Sequence, residues 1–144
     1  MKIRKATKKD LKEITNLMLE EFSKPPFNEK ENFDRVIKSL KFYFDIGKIY
    51  VAKIGTEIVG IIVFKIERYW EGKVLIIEDL AVKDNFKEQG IGKKLIDFVE
   101  NYPKKNNIKR ILFVTDKRSK SLGFYRKLGY KEKKNRINMT KRLI

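Results

Sequence analysis

The chain contains no cysteine and no histidine among its 144 residues. Without cysteine there can be no disulfide, thiolate metal site or acyl-cysteine relay. Without histidine, any general base must be a carboxylate or water, and imidazole ligation of a metal is excluded, so no metal site is expected. No stretch approaches the ~18 consecutive apolar residues of a membrane span, and no membrane partner is expected. The start is charged and has no apolar stretch behind it, which gives the expectation of no signal peptide and a cytoplasmic address. Hydrophobic residues make up 42% of the chain, so disorder is not expected. The length suits one domain with its own core, residues 1–144.

Positive charge is what the sequence has in excess. Lys and Arg number 35 against 19 Asp and Glu, for a net charge of +16. Such a field attracts polyanions: nucleic acid, an anionic membrane surface, or a phosphate-rich cofactor. Lys104-Lys105 and the run from Lys131 to Lys134 would suit a basic nucleic-acid-binding module. Neither an RNP-type aromatic motif nor a helix-turn-helix signature accompanies them, so nucleic acid is not the expected partner. Most of these lysines read as a solvated face.

One stretch organises the rest, Ile76 to Leu95. It begins inside an apolar run from Val74 to Val82, interrupted only by Glu78 and Asp79, which reads as a strand covered on both faces. A polar connection, Lys83 to Gln89, leads to Gly90-Ile91-Gly92 and then to residues with helical spacing. Strand, glycine turn and helix N-terminus can together hold an anion, because the first helical N–H groups are unpaired and the helix dipole favours negative charge. A Walker A loop is excluded, since Lys87 stands at its first glycine and Lys94 at its Ser or Thr. The dinucleotide fingerprint fails at Leu95. A strand–helix turn with no ligand has the same appearance.

Around this centre, Lys2 to Lys5 reads as an edge strand, and Thr7 with Asp10 as the start of a helix. Leu11, Ile14, Leu17, Met18 and Phe22 continue that helix up to Pro25-Pro26. A second amphipathic helix is expected over about Glu29 to Phe44, stopped by Gly47. Ile49 to Lys53 and Glu57 to Arg68 read as a hairpin around Gly55-Thr56. Trp70 lies in the following turn, either capping the core or walling a substrate site. The helix after Gly92 stops at Tyr102-Pro103, and Ile108 to Thr115 contains a strand. A last helix is expected over about Ser119 to Leu128, ended by Gly129, followed by short strands near Tyr130 to Lys133 and Ile137 to Leu143. The order βααβββαβαββ is α/β, with a mixed central sheet flanked by helices.

Leu80-Ala81-Val82 followed by Lys87-Glu88-Gln89-Gly90-Ile91-Gly92 resembles motif A of the GNAT superfamily of acetyl-CoA-dependent N-acetyltransferases. Gly123-Phe124-Tyr125-Arg126-Lys127-Leu128-Gly129-Tyr130 resembles the family's second signature, and Met1 to Ile14 its first strand and helix. One departure is Lys87, where the family has Gln or Arg. The resemblance covers essentially the whole chain and implies a single-domain GNAT fold with acetyl-CoA as cosubstrate. It implies that pantetheine pairs with the backbone along Leu80, Ala81 and Val82. The pyrophosphate would lie on the amides of Lys87, Glu88, Gln89, Gly90, Ile91, Gly92 and Lys93, with Lys87 as side-chain partner. Lys94 or Arg126 would reach the remaining phosphate.

The implied reaction is acetyl transfer to a primary amine by direct attack, without an acyl-enzyme. An alkylamine near pKa ~10.4 is mostly protonated at neutral pH, so a base must take its proton. Two carboxylates in an apolar strand are costly unless paired or functional. Adjacent strand residues point to opposite faces, so only one of Glu78 and Asp79 is expected at a given cleft. The resemblance gives the base role to Glu78, the leaving-group donor role to Tyr125 and the oxyanion to an amide near Leu80. Asp79 reads as structural or amine-binding, and Phe27 as core packing or, because the family's loop between the first two helices borders the acceptor site, as a substrate contact. The acceptor stays open among a polyamine, an amino sugar phosphate and a peptide amine. The surface charge disfavours a polycation unless the acid site is locally acidic. Other classes compatible with the sequence are an acyl-CoA-binding regulatory protein without catalysis and the nucleic-acid module above. The C-terminal strands would allow a homodimer.

Overall fold

The computed structural model describes residues 1–102 and 107–144. Pro103, Lys104 and Lys105 lie outside the described residues, and with them one basic pair of the nucleic-acid reading. The described chain falls into two compact units, Met1–Val114 and Thr115–Ile144.

The first unit is built on a five-stranded sheet with strands in sequence order: β1 (Lys2–Lys5), β2 (Lys48–Ile54), β3 (Glu57–Tyr69), β4 (Gly72–Val82) and β5 (Ile108–Leu112). β1 to β4 pair antiparallel and β5 runs parallel to β4, so the sheet is mixed, as expected. Parallel pairing requires a crossover, supplied by α3 (Ile91–Asn101). Two helices, α1 (Leu11–Phe22) and α2 (Phe33–Ile46), connect β1 to β2.

α1 is launched by Asp10, whose carboxylate accepts from the Thr7 N–H at 2.7 Å and from Arg4 at 2.7 Å. The Arg4 guanidinium holds the Asp10 carboxyl well below the usual range. α2 begins at Phe33 rather than Glu29, because Asn32 takes an extended backbone and its side chain accepts from the Arg35 N–H at 2.9 Å. An N-cap of that kind ends the preceding loop by satisfying a donor that the helix leaves unpaired.

Helices cover both faces of the sheet. On one side α1 and α2 pack Leu11, Ile14, Leu17 and Leu40 against Val51, Ile61, Val63 and Ala81. On the other side α3 lies on β3 and β4, with Phe98 against Tyr50 and Tyr102 against Phe64. Gly60 permits the close approach of α3: a Cβ there would sit 3.1 Å from Leu95 Cδ1, 3.2 Å from Ile91 Cγ2 and 3.3 Å from the Ala81 carbonyl. Trp70 is fully exposed, which rules out the core-capping role.

In the second unit α4 (Leu122–Lys127) is shorter than the expected Ser119 to Leu128. It ends where Gly129 adopts φ 95°, a left-handed conformation that glycine takes without strain. The strands expected near Tyr130 to Lys133 and Ile137 to Leu143 are absent among the described residues. Ile137, Met139 and Leu143 are at least 82% exposed there. Alternating apolar residues form a strand only when a ladder partner and a covered face exist, and among the described residues this segment has neither.

Candidate active site

β4 carries the acids, and its pairing decides how they point. Val63 pairs with Asp79 while Phe64 pairs with Ile77, so Glu78 is an extra residue in a β-bulge. Directly paired residues share a face. Ile77 therefore turns with Phe64 toward α3, and Asp79 turns with Val63 toward α1 and α2. Glu78 also reaches the α1/α2 side, where Lys65 pairs with it at 3.1 Å and its charge, after burial, helps raise the Tyr43 phenol of α2. Both acids thus stand on one side of the sheet, which corrects the expectation drawn from simple alternation. The bulge breaks that alternation, and two-residue periodicity in a single strand cannot reveal it.

The two carboxylates differ in their surroundings. Glu78 is compensated by Lys65. Asp79 makes no side-chain hydrogen bond or ion pair among the described residues. Burial, reinforced by the negative charges of Glu78 and Glu29, pushes its carboxyl up to about 6. It lines a groove of about 200 Å³ shared with Met18, Leu19 and Phe22 of α1 and with Val36 and Ser39 of α2. Phe27 does not line this groove; it packs edge-on against Phe22, which does, at 5.4 Å between ring centres.

β4 also has an open edge. Its parallel pairing with β5 ends at Ile76↔Leu112, and from Ile77 to Val82 no strand among the described residues pairs on that side. Leu80, Ala81 and Val82 lie on this stretch, whose backbone is free to take an extended ligand by strand addition. The glycine loop follows. Gly90 takes φ 79° and an added Cβ there would meet nothing within 4 Å, and Glu88 takes φ 63°. Lys87, Glu88, Gln89, Gly90, Lys93 and Lys94 are exposed, Ile91 is buried beneath them and Gly92 is half-buried. A loop with its backbone in the open, ending at a helix with no acid in its first turn, fits a pyrophosphate. Open strand edge and exposed loop together fit the pantetheine and phosphate portions of coenzyme A.

Lys87 is engaged elsewhere. Its ammonium pairs with Asp84 at 2.6 Å and with the buried Glu21 of α1 at 2.8 Å, and Lys24 pairs with the same two acids. The four side chains close a square of alternating charge that ties α1 to the turn ahead of the loop. Sequence reading missed it, although Glu21 falls on the apolar stripe of α1, four residues from Leu17, and a charge on that stripe is the available signal. Lys93 pairs with Asp97 at 2.8 Å, whereas Lys94 makes no ion pair among the described residues.

Tyr125 and Arg126 belong to the second unit, on α4. Burial pushes the Tyr125 phenol up to about 12, so it stays protonated and able to donate at neutral pH. Its ring packs edge-on against Phe124 and Tyr130. Arg126 is exposed. Among the described residues no group of His, Cys, Asp and Glu could hold a metal ion, and no helix is long and apolar enough to cross a membrane.

Solved structures resemble the whole chain. A possible acetyltransferase from Clostridium difficile 630 superposes with a TM-score of 0.85 at 22% identity, covering 99% of this chain and 97% of that one. AAC(6')-Iy in complex with the bisubstrate analog CoA-S-monomethyl-acetylneamine gives 0.80 at 19% identity, covering 99% and 98%. Glucosamine-6-phosphate N-acetyltransferase from Arabidopsis thaliana gives 0.73 at 26% identity, covering 99% and 98%. Curated proteins yield no match. The model of the acetyltransferase (GNAT) family matches residues 11–130, which take in the bulged acid strand, the glycine loop and Tyr125, and the chain belongs to that family of acyltransferases.

Proposed function

We propose that the protein transfers an acetyl group from acetyl-CoA to a primary amine, and that residues 1–144 act as one N-acetyltransferase domain. The family match runs through both compact units, which supports treating them as one functional domain. One observation carries the reaction: an unpaired carboxylate in a groove, on the strand whose open edge suits the cosubstrate. The cosubstrate supplies an acetyl thioester, and Leu80, Ala81 and Val82 with the loop from Lys87 to Lys93 would hold it. Lys94 is the basic side chain of the loop region best able to meet a phosphate, since Lys87 and Lys93 already have carboxylate partners.

Asp79, rather than the Glu78 that the family resemblance favours, is the base in this reading. A base works best when its pKa lies near the operating pH, and Asp79 at about 6 meets that condition. Glu78 pairs with Lys65 at 3.1 Å, and the negative charge of Glu78 adds to the burial that raises Asp79. The amine nitrogen bonds to the acetyl carbon as the carbon–sulfur bond breaks, and the proton lost by nitrogen goes to Asp79 and on to water. Tyr125, held protonated, donates a hydrogen bond to the departing sulfur, where full proton transfer is not required. The Leu80 N–H is the oxyanion donor.

The test combines calorimetric titration of acetyl-CoA with thiol release across an amine panel. Micromolar binding with turnover on an amine is expected. Asp79→Asn and Tyr125→Phe should keep acetyl-CoA affinity and lose turnover. Absence of acetyl-CoA binding would overturn the reading of the glycine loop, and full activity in Asp79→Asn would return the base role to Glu78.

A further inference from the structure

The groove next to Asp79 has a charge opposite to that of the molecule. Its acids are Asp79 on β4 with Glu29 and Glu31 from the segment ahead of α2, and they sit in a protein of net charge +16. Arg35 is the one basic side chain lining it, and Glu31 pairs with Arg35 at 3.4 Å. Glu29 makes no side-chain ion pair among the described residues, and its charge is felt by Asp79. Between these acids the wall is apolar: Met18, Leu19, Phe22 and Val36. The groove's volume of about 200 Å³ is small beside the ~300–1,000 Å³ usual for drug-sized ligands.

Each feature restricts the acceptor. A sugar phosphate would bring its dianion against Glu29 and Asp79, with the one available cation already paired. A monoamine would satisfy Asp79 and leave Glu29 without a partner among the described residues. A multi-ring polycation would place most of its bulk outside the groove, which is open to solvent. A linear chain with one ammonium at Asp79, methylenes along Met18, Leu19, Phe22 and Val36, and a second ammonium at Glu29 and the Arg35-paired Glu31 meets the acids and the apolar groups of the lining. The geometry points to a linear aliphatic polyamine as the acceptor, with the reacting nitrogen at Asp79 and a distal ammonium held by Glu29 and Glu31.

This inference rests on the acetyltransferase reading above and adds the substrate class. Ammonium groups near pKa ~10.4 carry full charge at neutral pH, so the distal nitrogen is available for pairing throughout the working range. Exposed carboxylate–ammonium pairs are individually weak, and two together should favour a diamine over a monoamine by about tenfold in kcat/KM. Both glutamates are exposed on a segment outside the core, so their replacement leaves the apolar packing intact.

The experiment measures acetyl-CoA binding by calorimetry, then thiol release with spermidine, diaminobutane, butylamine, glucosamine 6-phosphate and an aminoglycoside. The parent should prefer spermidine and diaminobutane over butylamine by about tenfold or more. In Glu29→Gln/Glu31→Gln, and to a smaller degree in Glu29→Gln, that preference should collapse toward unity, with thermal melting used to check that the variants fold. Equal use of butylamine, or a preference for glucosamine 6-phosphate or the aminoglycoside, would overturn the inference and leave the acetyltransferase reading standing. So would a diamine preference untouched by the double variant. No binding of acetyl-CoA would overturn the underlying reading and the inference with it.

Discussion

Asp79→Asn should make the protein more stable at neutral pH while it removes activity. The Asp79 carboxyl is pushed from an ordinary 3.8 to about 6, first by burial and then by Glu78 and Glu29. A folded-state value above the unfolded one means that the native state holds the proton more tightly, so ionisation opposes folding. Below about pH 4 both states are protonated and the penalty is absent. It grows as pH rises from about 4 to about 6 and is fully present above that. At about 1.4 kcal/mol per tenfold change in equilibrium, the displacement amounts to about 3 kcal/mol as an upper figure. Asparagine matches the shape, carries no charge, and breaks no existing hydrogen bond or ion pair, because Asp79 has none among the described residues. Thermal melts at pH 7.5 should show a gain of up to about 6–12 °C for a chain of this size. At pH 4 the gain should vanish. Any residual turnover of the same variant should lack the acid limb of the kcat/KM profile, centred near 6 in the parent. A gain of equal size at both pH values, or none at pH 7.5, would refute the argument that burial and neighbouring acids penalise this charge.

Glu78→Gln removes one of the charges that raises Asp79, so the acid limb of kcat/KM should move to lower pH. Disappearance of the limb would identify Glu78 as the base instead. Gly60→Val inserts atoms where a Cβ alone is already 3.1 Å from Leu95, and should cost about 1–3 kcal/mol in denaturant unfolding and weaken acetyl-CoA binding by displacing α3. Glu21→Gln leaves Lys24 and Lys87 without their shared buried partner, and a loss of about 1–3 kcal/mol is expected in the same measurement. Tyr125→Phe should lower turnover and leave calorimetric acetyl-CoA affinity within about twofold, separating donation to the sulfur from binding.

Local pattern carried the sequence reading wherever a signal was complete within a few residues. Thr7 with Asp10, the glycines at 90 and 92, Gly129 and the helical spacing of Leu11 to Phe22 each mark a turn, a cap or a covered face by short-range rules, and the structure has those features at those positions. The mixed sheet followed because an apolar strand, a glycine turn and an amphipathic helix in succession leave little choice but a parallel crossover. The motif residues were legible for the same reason, being contiguous.

Pairing was not legible. The bulge that turns Glu78 and Asp79 to the same side depends on how Val63 and Phe64 of β3 are matched, which no pattern within β4 contains. The start of α2 at Asn32, and hence the distance of Glu29 and Glu31 from Asp79, depended on which of several polar residues capped the helix. The C-terminal alternation looked like strand, yet it has no ladder partner among the described residues. Glu21, Lys24, Asp84 and Lys87 form one charge network whose widest sequence contact joins Glu21 to Lys87, 66 residues on. Sequence alone therefore determined the elements of the first unit, to within a few residues, and the position of the glycine loop. Tertiary structure decided which acid is compensated and which is left buried in an acidic, apolar-walled groove, because burial and charge compensation are set by neighbours that are distant in the chain.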